Sequence, residues 1–371
     1  RDEAWHYTSL RPLAETRFAA PVAVAAMLPG RLPAVDAPRL IFVNGRFDRA
    51  ASTLPAQAAV RVGAPAYGAL ARPEAEAMVA LNTMLAEDGA SIEVAAQQDG
   101  GTLLLASLGS GAAGEPAGFH PRHAVRLGAG ASLTLLEVAL GEGAYLHNPV
   151  TEVTLEAGAT LTHLRLQDES AAAFHMGTLY VAAAAGASYD SFSLNLGGRL
   201  ARSEVHARLG GEGAIAHLNA AQLLAGTQHA DFTTVVTHAA VACASRQTVK
   251  NVLAGRARGV FQGRIEVTRG AQKTDGYQMN QALLLSPDAE ANSKPELEIF
   301  ADDVKCSHGA TVGALDGEQL FYLRSRGIPE ADARAMLVRA FLAEALDPLA
   351  HEAGRAMLEA AVERWWERQA A

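Results

Sequence analysis

The residues best suited to chemistry in this sequence are Cys306 and His308, within Asp302-Asp303-Val304-Lys305-Cys306-Ser307-His308-Gly309-Ala310-Thr311-Val312-Gly313. A thiol and an imidazole both bind borderline and soft metals. Cys306 is one of only 2 cysteines in 371 residues. The preceding Pro295-Glu296-Leu297-Glu298-Ile299-Phe300 alternates apolar and acidic positions, which is the period of a half-buried strand. Extended backbone running on from there into Cys306 puts Cys306 and His308 on one face, because strand side chains two apart point the same way. Lys305 beside the thiol favours the thiolate form that binds metal or sulfur. The same residues also fit a plain structural strand, with the cysteine as a small hydrophobe and the histidine hydrogen-bonded. Two neighbours do not close a metal site, and Cys243 has no close histidine or second thiol at a known ligand spacing. A cluster held here needs ligands from elsewhere.

The composition narrows the setting. A chain of 371 residues is long enough for a large core and two or three domains. Two cysteines argue against a disulfide framework and suit a reducing, cytoplasmic compartment. The net charge of -9, from 31 basic and 40 acidic residues with the basic ones scattered, disfavours nucleic acid as a partner. The longest smooth apolar run, Ala19 to Leu28, is broken by Pro21 and is shorter than the ~20 residues that span a bilayer, so no membrane segment is expected. The sequence starts at Arg1, which leaves any upstream segment open.

Three regions must position the pair. Residues 1–115 read as a small α/β segment. In it Arg39 to Phe47 forms a hairpin closed by Asn44-Gly45, residues that tolerate positive φ. Met78, Leu81, Met84 and Leu85 follow helical spacing between Glu74 and Leu85. Gly109 to Gly118, rich in small residues, marks a flexible boundary. Residues 116–312 are repetitive: Gly130-Ala131, Gly158-Ala159, Gly186-Ala187 and Gly213-Ala214 recur every 27 or 28 residues, each between two alternating strands. Two strands per unit with glycine at the turn predict a β-solenoid, specifically a parallel β-helix, since one coil cannot bury its face without the next. An up-and-down sandwich is the rival, but its hairpins would not recur at so long a period. Gly211-x-Gly213-x-x-Ala216 opens no evident helix, so these are turn glycines rather than a dinucleotide fingerprint, and no Gly-Lys-Ser or Gly-Lys-Thr supplies a phosphate loop. His229 and His238, nine apart on one strand, have opposite parity and are not expected to share a ligand. Residues 313–371 are helical. One helix starts near Pro329 and carries Met336, Leu337, Ala340, Phe341 and Leu346 to a break at Asp347-Pro348, and a second carries Met357, Leu358, Ala361, Val362, Trp365 and Trp366. They read equally as a cap over the open end of the solenoid or as a partner-docking surface.

The stretch from about Gln247 to Gly327 resembles the SufB/SufD family of iron-sulfur cluster assembly proteins. The residues that carry this are Gly259-Val260-Phe261-Gln262-Gly263-Arg264-Ile265, Leu283-Leu284-Leu285-Ser286, Pro295-Glu296-Leu297-Glu298-Ile299, Cys306-Ser307-His308-Gly309-Ala310-Thr311-Val312-Gly313 and Phe321-Tyr322-Leu323-Arg324-Ser325-Arg326-Gly327. Trp5-His6-Tyr7-Thr8 and Phe42-Val43-Asn44-Gly45 are also similar, so the likeness covers nearly the whole chain. The resemblance implies a mainly β protein, a right-handed parallel β-helix with a C-terminal helical domain, and places the family's N-terminal helices upstream of Arg1. It implies a non-catalytic scaffold subunit that acts with SufB and the ABC-type ATPase SufC, and with sulfur donor proteins through that complex. A transient iron-sulfur cluster would be shared with SufB near His308 and Cys306, where two β-helices meet. The SufC contact would lie on the helical domain, at Glu330, Arg334, Leu337, Val338 and Phe341. Self-association of the isolated chain and a bound flavin are compatible with the family, although no residue pattern points to either. The competing reading is a β-helix polysaccharide lyase or hydrolase, with Asp231, Glu266 and Asp275 as its acidic candidates.

Overall fold

The computed structural model describes residues 3–21, 32–63, 69–111 and 116–370. Part of the Ala19 to Leu28 run and part of the Gly109 to Gly118 boundary lie outside the described residues.

The architecture follows from its corners. Gly130, Gly158, Gly186 and Gly213 adopt φ of 66°, 69°, 63° and 69°, a left-handed conformation that glycine reaches without a Cβ clash. Each corner N–H donates to a carbonyl of the following coil: Gly130 to Ala157, Gly158 to Ala185, Gly186 to Glu212 and Gly213 to Val241. The alanine after each glycine is buried inside the corner. The ladder then continues where the Gly-Ala period stops. Ala242 and Lys273 take φ of 59° and 63° and donate to the carbonyls of Gln272 and Asp303. Cys243 therefore stands where the buried alanines stood, which accounts for its burial.

Each coil sends one strand into each of two sheets, of 10 and 11 strands. Successive strands within a sheet pair parallel and in register, as Thr160–Asp168 does with Ser188–Asn195 and Val150–Leu155 with Phe174–Ala183. This is a parallel β-solenoid and not an up-and-down sandwich. Strands Arg39–Val43, Ala90–Val94 and Asp99–Ser110, all within residues 1–115, already belong to these sheets. Asn44 and Gly45, at φ of 47° and 78°, close the expected hairpin onto Arg46–Phe47.

Two cores result. One fills the space between the sheets, with Leu135, Leu161, Tyr189, Leu218, Phe232 and Phe261. The other lies outside the 10-stranded sheet, where Leu104, Leu136, Val138, Leu164 and Phe192 are covered by Val338 and Leu342 of helix Glu330–Leu346 and by Leu358, Ala361 and Trp365 of helix Glu352–Ala370. The helices thus lie along the side wall and do not cap the open end. A further helix, Gly317–Ser325, precedes them, its N-terminus capped by the Asp316 carboxylate, which accepts from the N–H groups of Glu318 and Gln319. Pro329 is the N-cap residue of the next helix and not part of its first turn.

Candidate functional site at the open end

The stretch leading to Cys306 is two strands, not one. Glu290–Ile299 is the edge strand of the 11-stranded sheet and Lys305–Ala314 the edge strand of the 10-stranded sheet, and the chain crosses between them through residues 300–304. The alternation in Pro295 to Phe300 was a true strand signal, but the sharp crossing at Asp302-Asp303 lies beyond its reach. Cys306 and His308 nonetheless share one face of Lys305–Ala314. In the parallel register Cys306 stands beside Gly276 and His308 beside Gln278. Cys306 packs with Ile265, Val267 and Leu297, so this face points into the solenoid. A Cβ at Gly276 would lie 3.4 Å from the Cys306 Sγ and 3.2 Å from Ile265, so the glycine leaves the thiol its place.

The last coil has no successor. His308 faces inward on its strand and yet is exposed, while Cys306 is half-buried. Ile299, Phe300 and Val312, on the two edge strands and the crossing between them, give the open end an apolar rim, with Phe300 65% exposed. Burial pushes the Cys306 thiol up, and the nearby Asp275 carboxylate adds to this, although the Gly276 backbone N–H opposes it. These effects oppose the thiolate expected from the neighbouring Lys305. Lys305, next in sequence, projects to the opposite face of the strand and cannot offset the burial. Beneath His308, Gln278 is fully buried, with no hydrogen-bond partner for either side-chain atom among the described residues.

The helical residues divide between exposed and packed. Leu337 borders a concave apolar surface with Phe321, Tyr322 and Leu323, and Phe321 is 74% exposed. Glu330 pairs with Arg324 at 3.3 Å. Arg334 Nη2 donates to the Leu285 carbonyl at 3.2 Å, Phe341 is half-buried under the Lys250 ammonium, and Val338 is buried against the sheet. The acidic candidates for polysaccharide cleavage do not converge. Asp231 is buried 2.6 Å from Arg202, Glu266 accepts from Thr237, and Asp275 pairs with Arg246 at 2.9 Å. His229 and His238 sit at opposite ends of one strand, hydrogen-bonded to Thr8 and Ser245.

Two clusters escaped the sequence reading because their members are brought together by stacking of coils rather than by spacing. His147 and His175, in register on neighbouring strands, both hydrogen-bond the buried Glu169 carboxylate, at 3.1 and 2.7 Å. Glu76, Glu204 and His206 meet on the outer face of the 11-stranded sheet.

The family model for the SufBD core domain, described as SUF system FeS cluster assembly, matches residues 109–341. The chain is 35% identical over 363 residues to the iron-sulfur cluster assembly protein SufD of Escherichia coli K12, with 95% of this chain and 85% of that protein covered. The chain belongs to the SufB/SufD family. A SufBD family protein of Synechocystis is 32% identical, with 96% of this chain and 85% of the relative covered. The SufD of Bacillus subtilis is 33% identical over 162 residues, 44% of this chain and 37% of that protein. SufB/SufD membership assigns a role in iron-sulfur cluster assembly and leaves polysaccharide cleavage without support. Among the described residues no helix is long and apolar enough to cross a membrane.

Proposed function

We propose that this chain is a cytoplasmic, non-catalytic scaffold subunit that builds iron-sulfur clusters together with SufB and SufC, and that His308 and Cys306 contribute ligands to a cluster completed by SufB. The observation that carries this is the placement of an imidazole and a thiol on the inward face of the last, uncovered strand, beside an apolar rim. Unpaired edge strands with exposed apolar side chains suit a second protein rather than solvent. The pair supplies one nitrogen and one sulfur to iron, which is the cargo here, so the remaining ligands come from sulfide and from SufB. Burial favours the neutral Cys306 thiol over the thiolate, and the exposed His308 imidazole offers a ring nitrogen to iron. Helix Gly317–Ser325 and the exposed face of Glu330–Leu346 form the proposed SufC contact, through Glu330, Arg334, Leu337 and Phe341, with Val338 holding the helix in place from beneath. ATP hydrolysis falls to SufC, consistent with the missing phosphate loop.

Co-expression with SufB and SufC tests the assembly. The wild-type chain should co-purify with both, while Phe300→Asp, which puts a charge on the rim, should lose SufB and keep SufC. Undiminished SufB association in Phe300→Asp would place the interface elsewhere.

A further inference from the structure

We propose that Glu76, Glu204 and His206 form a binding site for a first-row divalent metal ion, separate from the pair at the open end. Glu204 and His206 are two apart on Leu200–Leu209 and share the outer face of the 11-stranded sheet, three strands in from its edge strand Glu290–Ile299. Glu76 approaches from the residue before helix Ala77–Leu85 and makes no capping bond with its side chain.

The Nε2 of His206 lies 3.1 Å from Glu204 Oε1 and 3.2 Å from Glu76 Oε1. One imidazole N–H can point squarely at only one of two such oxygens. An ion with bonds of about 2.0–2.1 Å spaces tetrahedral ligands roughly 3.3 Å apart, which matches the two His206 separations, and all three ligand atoms lie within 4.8 Å of one another. One nitrogen and two carboxylate oxygens suit zinc, cobalt, iron(II) or manganese rather than a soft thiophilic ion.

Neighbouring groups hold the donors in place. Arg202, buried and 2.6 Å from Asp231, also holds Glu204 Oε2 at 3.0 Å. The Tyr180 ring stacks on His206 at 5.0 Å and 15°. The three ligands line a partly open cavity of about 300 Å³ together with Trp5 and Met176, which leaves room for water or an exchangeable ligand, as sites with three protein ligands do. The other cations of this cavity are already committed. Lys294 pairs with Glu3 and Glu296, and Arg264 with Glu266 and Glu298. They therefore do not repel an incoming ion as free charges would.

The test is a cobalt(II) titration of the purified chain, followed by its visible ligand-field absorption. One equivalent should bind, with no sulfur-to-cobalt charge-transfer band. Glu76→Gln, in the segment before the helix, and His206→Gln should each weaken binding at least tenfold while circular dichroism stays unchanged, and Cys306→Ser should bind as the wild type does. Failure to bind cobalt, equal binding in both variants, or binding only through a charge-transfer band that Cys306→Ser removes would overturn the assignment. Cluster assembly at His308 is measured separately, as iron and sulfide in the complex, so the two readings fail independently.

Discussion

Lys250 and Glu344 join the helical segment to the solenoid: the Lys250 ammonium, 1% exposed in its strand, lies 2.5 Å from Glu344 Oε2 and 4.4 Å from the centre of the Phe341 ring. A buried ammonium is tolerated only when it is paired. Glu344→Ala leaves that charge with the aromatic face alone and should cost about 1–3 kcal/mol. Lys250→Met removes the charge but keeps the stem volume, so it should cost less. Urea unfolding of both variants checks the order, and equal losses would mean that the pair is incidental to docking.

The non-glycine corners give a test in the opposite direction. Ala242 sits at φ 59°, where a side chain costs about 1–2 kcal/mol relative to glycine, partly offset by glycine's greater freedom in the unfolded chain. Ala242→Gly should therefore stabilise the protein by roughly 0.5–1 kcal/mol. Gly211→Ala should be damaging instead, because its Cβ would fall 1.9 Å from the Ala185 nitrogen. Thermal melts of the two variants should move in opposite directions.

These corners also show how far the sequence could be read. Four Gly-Ala corners announced the solenoid, but the left-handed corner is a backbone demand that Ala242 and Lys273 also meet, so the period looked shorter than the fold is. The earliest coils were hidden because a strand such as Asp99–Ser110 is buried on both faces and reads as a continuous apolar run, without the alternation that marks a strand with one wet face. Leu135, Leu136 and Val138 form another such run, with Leu135 inside the solenoid and Leu136 and Val138 beneath the side-wall helices. The pairing of Cys306 with His308 was legible from a spacing of two. The raised thiol was not, because it depends on Ile265 and Val267 one coil below.

Acid should weaken the fold through a buried histidine. Burial pushes His123 down to about 4, and its Nδ1 accepts the Ala90 N–H at 3.2 Å. An unfolded histidine takes up its proton near pH 6.5. The stability of the neutral form is thus complete above about pH 6.5 and falls as the pH drops toward 4. Between pH 7.5 and 5.5 the wild type should lose about 1 kcal/mol more than His123→Gln in urea unfolding. Parallel pH profiles for the two proteins would contradict the burial of His123.

Thiol chemistry should single out Cys306. Cys243 is buried and its thiol is pushed up by burial, whereas Cys306 is half-buried with a raised thiol. Under native conditions iodoacetamide should label Cys306 alone and slowly at pH 7, with the rate still climbing beyond about pH 8.5, where an ordinary cysteine levels off. Peptide mass mapping after timed labelling measures this, and fast labelling at neutral pH would show a thiolate already present.

Iron and acid-labile sulfide in complexes purified with SufB and SufC test the central claim most directly. His308→Ala removes an exposed imidazole, so the fold and the gel-filtration profile of the complex should be unchanged while its iron and sulfide fall severalfold below wild type. Cys306→Ser should fall less if the SufB thiolate is the main sulfur ligand. An intact His308→Ala complex carrying the wild-type amount of iron and sulfide would contradict the account and leave His308 a structural residue of the last strand.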